Sequence, residues 1–84
     1  MKTIAKSQKF SLNQTLDEVS YQYVHANFKF DSCNDGLVGM NAYGTSEWIK
    51  FFNSGKAAYS NTGSVKDVVE FNSHQDAVDF IRVK

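Results

Sequence analysis

The chain has 84 residues, nine basic and nine acidic side chains for a formal net charge of zero, no proline and one cysteine. That length makes a single small domain, 1–84, which buries only about 60–65% of its unfolded surface. The lone Cys33 excludes a disulfide framework, and the charge balance, which holds in both halves, argues against a nucleic-acid domain and against an acidic mimic of DNA.

The first residues, Met1 to Lys6, carry charge but no apolar run, and no stretch approaches the ~20 apolar residues of a membrane span. With one free thiol this reads as a cytoplasmic chain with no membrane partner. In that compartment the sequon Asn13-Gln14-Thr15 has no meaning as a glycosylation site.

Leu12, Leu16, Val19 and Tyr23 are spaced by four, three and four, which is one face of a helix. Thr15-Leu16-Asp17-Glu18 fits a capping box, and Ser11-Leu12-Asn13-Gln14 fits one a turn earlier, so the helix is expected from 12 or 15 to about 26. Phe28-Lys29-Phe30 alternates as a strand does. Asn34-Asp35-Gly36 is a hairpin signal, with a return strand from Leu37 to Tyr43.

The segment Thr45 to Gly55 stays open between a short helix capped by Ser46 and a strand turning at Asn53-Ser54-Gly55 into Lys56-Ala57-Ala58-Tyr59. Asn61-Thr62-Gly63 is a further turn, followed by a strand over Val65 to Phe71. Asn72 or Ser73 then caps a helix from Gln75 to Arg82, with Asp76 near its positive end and Arg82 near its negative end. Phe71 and Phe80 sit where that strand and helix would bury them. The fold class is therefore α+β: an N-terminal helix, a small antiparallel sheet of three to four strands, and a short C-terminal helix packed on the sheet.

The sequence offers no catalytic or metal motif. Asp31-Ser32-Cys33-Asn34-Asp35-Gly36 begins like a calcium loop, but Cys33 and Ala42 stand at positions that need oxygen ligands. Cys33 with His25 or His74 lacks a nucleophile signature, and His74, just after its cap, is expected to be solvated. Asp76 with Asp79, and Asp67 with Glu70, read as solvated charge. Glycines never take a phosphate-loop spacing. No enzyme, cofactor or metal is expected.

Twelve residues are aromatic, and Tyr43, Trp48, Phe51, Phe52 and Tyr59 crowd into one short stretch. A helix would turn Phe51 away from Trp48 and Phe52, and a strand would set Phe51 and Phe52 on opposite faces. Burying all five in one small core is difficult, so they are the expected anchors of a partner-binding site. The leading expectation is a non-enzymatic module that docks on another protein or protein complex. Small motif-free α+β domains are common among phage and mobile-element accessory proteins, inhibitors of the anti-CRISPR kind included, which is an analogy at the level of class. The alternatives are a single-strand nucleic-acid binder stacking bases on Phe28 and Phe30, and a self-assembling protein, a homo-oligomer.

Overall fold

The computed structural model describes residues 11–83. Phe10 and the Met1 to Lys6 start lie outside them. The described chain opens with a 3-10 turn, Leu12–Gln14, and continues into helix α1, Glu18–Asn27. Five strands follow, β1 Phe28–Cys33, β2 Gly36–Asn41, β3 Trp48–Phe52, β4 Ala57–Ser60 and β5 Val69–Phe71, before helix α2, His74–Arg82, closes the domain. The strands form one antiparallel sheet in the order β1-β2-β3-β4-β5. The α+β expectation holds, with five strands where three to four were expected.

The N-terminal helix starts later than its periodicity suggests. Asp17 is the cap, its carboxylate accepting from the Ser20 amide at 2.7 Å. Ser11 makes no side-chain cap, and the Thr15 hydroxyl donates back to the Leu12 carbonyl at 3.0 Å. Both capping boxes therefore fail. The reason is tertiary: the Asp17 amide donates to the Gln75 side chain at 2.8 Å, which ties the break to α2. Restarting at Glu18 rotates the apolar stripe, so Val19 is left exposed and Ser20 and Val24 are buried instead.

β1 and β2 form a tight hairpin with Cys33 opposite Gly36. The open question at 45–55 resolves as strand. β3 pairs with β2 and with β4, Met40 opposite Trp48 and Ile49 opposite Tyr59, and Asn53-Ser54-Gly55 makes the turn, Gly55 at φ 103. The expected strand over Val65 to Phe71 shortens to its last three residues. Val65–Asp67 is a 3-10 turn whose cap, Ser64, accepts from the Lys66 amide at 3.1 Å, and Val65 is exposed. A hydroxyl at the turn entry satisfies backbone locally and outcompetes strand pairing there.

Ser73 caps α2, accepting from the Asp76 amide at 3.1 Å. The helices and one sheet face enclose the core: Val24 from α1, Phe28 from β1, Ile49 and Phe51 from β3, Ala57 and Tyr59 from β4, and Ala77, Val78 and Ile81 from α2. A polar seam joins the two helices at their edge. There Gln75 and Arg82 both donate to the buried Ser20 hydroxyl, at 2.6 and 3.2 Å. Phe80, like Val19, departs from the expected core. It is partly exposed, although its ring packs on Tyr59 and Phe71 at 6.0 and 5.4 Å between centroids.

Candidate functional site

Strand alternation sorts the five expected anchors. In β3, Ile49 and Phe51 point to the helices and are fully buried. Trp48, Lys50 and Phe52 point the other way and keep partial exposure. Phe51 is thus core rather than anchor, its ring set edge-on to His74 at 5.1 Å. Tyr59 is core as well, at 2% exposure. Its hydroxyl donates to the Glu47 carboxylate, which also accepts from the Asn41 amide at 2.8 Å. Burial first, and then the Glu47 carboxylate, raise the Tyr59 phenol well above its ordinary value. Tyr43 lies on the β2–β3 connection, strongly exposed, with its hydroxyl donating to the Ala26 carbonyl at 3.3 Å. It stands apart from the sheet face.

The structure therefore keeps Trp48 and Phe52 together and separates them from Phe51, Tyr59 and Tyr43. Cross-strand pairing then adds residues that the sequence did not single out. Met40 stands opposite Trp48, Val38 opposite Lys50, and Ala58 on the far side of Lys50. The result is a sheet face bearing Val38, Met40, Trp48 and Phe52 around a central lysine, with no helix among the described residues laid over it. Met40 is about half exposed. The signal for these neighbours was the alternation in Gly36-Leu37-Val38-Gly39-Met40, readable only once its pairing register with β3 is known.

Several contacts fix this face. The Trp48 indole donates to the Gly63 carbonyl at 3.3 Å. Gly63 is held in turn by its amide donating to the Ser60 hydroxyl at 3.0 Å, so the 61–64 turn buttresses the ring. The Lys50 ammonium lies 4.9 Å from the Phe52 ring centre and 3.0 Å from the Asp35 carboxylate. Lys50 is thus engaged within the chain, and its hydrogen bond holds the Asp35 carboxyl below its usual range. Beside Phe52 a groove of about 430 Å³ opens toward Phe71, with Ala57, Lys56, Glu70 and Asn72 along it.

The residues expected to matter for other chemistries are elsewhere. Phe28 is buried, and Phe30 shares its helix-covered face, packing on Phe51 at 6.0 Å. They form no base-stacking platform. Cys33 is exposed at the hairpin end. His25 stacks on Tyr21 at 5.2 Å near the end of α1. His74 is buried rather than solvated, its ring nitrogens 2.8 Å from the Phe52 carbonyl and 3.0 Å from the Thr15 hydroxyl. Among the described residues no three His, Cys, Asp or Glu side chains cluster in a way that could hold a metal ion, and no helix is long and apolar enough to cross a membrane. No family model, curated protein or solved structure matches the chain.

Proposed function

We propose that the protein is a non-enzymatic docking module that occupies the surface of another protein through the sheet face opposite its described helices. The observation that carries this reading is that Trp48 and Phe52 share the face opposite the helices with Val38 and Met40, Met40 standing directly opposite Trp48. An aromatic pair ringed by aliphatic and small polar groups is the composition of a protein–protein hot spot. Five strands spaced about 4.8 Å apart and about five residues long give a face of roughly 400 Å², half the contribution of one partner to a standard interface. Such a face suits a compact contact made by an apolar helix or loop of the partner. Action by steric occlusion, as in the inhibitors of phages and mobile elements, is the mode this geometry favours.

The electrostatics favour a protein over a nucleic acid. Net charge is zero, and the lysine nearest the two rings is engaged by Asp35 and Phe52. Counterion release would have little to act on. The test is comparative capture from the source cells with the wild-type chain and with a Trp48→Ala/Phe52→Ala variant. A protein retained by the first and lost by the second, while the variant keeps wild-type circular dichroism, is the expected result. Retention of nucleic acid in place of a protein, or equal capture by both chains, overturns the reading.

A further inference from the structure

We infer that β1 is a self-complementary edge through which two copies of this chain join their sheets, independently of the docking face proposed above. Among the described residues β1 ends the sheet and is paired on one side only, by β2. The Ala42 amide donates to the Asn27 carbonyl at 3.0 Å, and Cys33 stands opposite Gly36 across the turn. Antiparallel ladders alternate, so the backbone groups of Lys29, Asp31 and Cys33 point to β2, while those of Phe28, Phe30 and Ser32 point outward. The Phe28 amide is already used, donating to the Val24 carbonyl at the end of α1. The Phe28 carbonyl and both backbone groups of Phe30 and Ser32 remain as the outward row.

An antiparallel copy must match this outward row with its own, which permits only registers that oppose even-numbered residues to even-numbered residues. Three such registers overlap well, and charge chooses between them. Centring the twofold axis on Lys29 opposes two lysines, and centring it on Asp31 opposes two aspartates. Centring it on Phe30 sets Lys29 of each copy against Asp31 of the other, in the non-hydrogen-bonded positions where side chains approach most closely. In that register Phe30 exchanges two hydrogen bonds with its counterpart, and the Ser32 amides reach the Phe28 carbonyls.

The surroundings agree with this pairing. Lys29 and Asp31 are exposed and make no ion pair within the described chain. Their side chains lie on the same sheet face as Met40 and Val38, which they oppose in β2. Joining β1 to β1 would therefore make the two docking faces continuous and double the roughly 400 Å² of each. An edge with charges of a single sign repels another copy; opposite signs two residues apart do the reverse.

Sedimentation of the full chain, with Lys29→Asp, Asp31→Lys and the double swap, tests the inference. The wild type is expected to dimerise, each single substitution to weaken the dimer roughly tenfold by opposing like charges twice, and the double swap to restore it. All four should share one circular dichroism spectrum, because both positions are exposed. The Trp48→Ala/Phe52→Ala variant should dimerise as the wild type does. A monomer at the highest soluble concentration, a dimer indifferent to the single swaps, a double swap as weak as the singles, or dissociation by the Trp48 and Phe52 changes would each overturn it.

Discussion

His74 shows how one buried side chain ties the molecule to pH. Its Nε2 faces a carbonyl acceptor, that of Phe52, and therefore carries the proton, leaving Nδ1 to share the Thr15 hydroxyl proton with the Leu12 carbonyl. Burial lowers its pKa, the Phe52 and Lys56 backbone contacts opposing in part. Because the folded-state value lies below the unfolded one of about 6.5, the neutral ring's contribution is complete above that pH. It is lost as pH falls from there through the lowered folded value. Melting temperature measured between about pH 8 and 5 should fall, and a His74→Gln chain should show a flatter profile over the same range. A wild-type profile as flat as that of the variant would contradict this account.

Gly36 is a second residue whose role is local. A Cβ there would meet the Phe51 carbonyl oxygen at 1.9 Å, a backbone atom of the neighbouring strand. Gly36→Ala must push β2 from β3 and is expected to cost roughly 1–3 kcal/mol in chemical denaturation. Gly39 differs, because the group that fills its space is the Phe30 side chain, its cross-strand partner, covering the glycine in the manner of an aromatic lid.

At the scale of elements, the C-terminal helix follows its sequence closely and the N-terminal helix does not. α2 is a short segment with its cap, its acidic first turn and its basic last turn where local rules put them. Replacing Ser73 with alanine removes the acceptor for the Asp76 amide and should lower stability by about 1 kcal/mol in a urea titration. No change on that substitution would mean that packing alone holds the helix start. α1 has equally good local signals at Ser11 and Thr15, but the chain uses Asp17, because Gln75 binds the Asp17 amide from α2. Three caps compatible with one sequence were separated by a contact 58 residues away in the chain. The same competition shortened the fifth strand, where Ser64 satisfied the backbone of a 3-10 turn.

For the molecule as a whole, the decisive asymmetry is that the two helices of the described residues cover one face of the sheet. The aromatic residues divide accordingly: Phe28, Phe30, Phe51, Tyr59 and Phe71 pack with the helix-covered core, and Trp48 and Phe52 stand on the other side. A partner recognised by that second face meets little net charge. Its affinity should change less than about threefold across a roughly tenfold range of salt, read by calorimetry on the captured partner. A steep loss with salt would point to phosphate recognition and against protein docking.

Composition, strand alternation and the turn residues were enough to determine an α+β chain with a hairpin at Asn34-Asp35 and a capped C-terminal helix. Those properties are set by forces acting over a few residues. The sequence also located the aromatic cluster, yet it could not say which rings would be buried. That depended on which face the helices covered and on which residues of β2 and β4 were set beside β3. Pairing register and layer order are non-local, arising from burial of apolar surface across the whole chain. They left two of the five rings, Trp48 and Phe52, on the face away from the helices, and set Val38 and Met40 beside them.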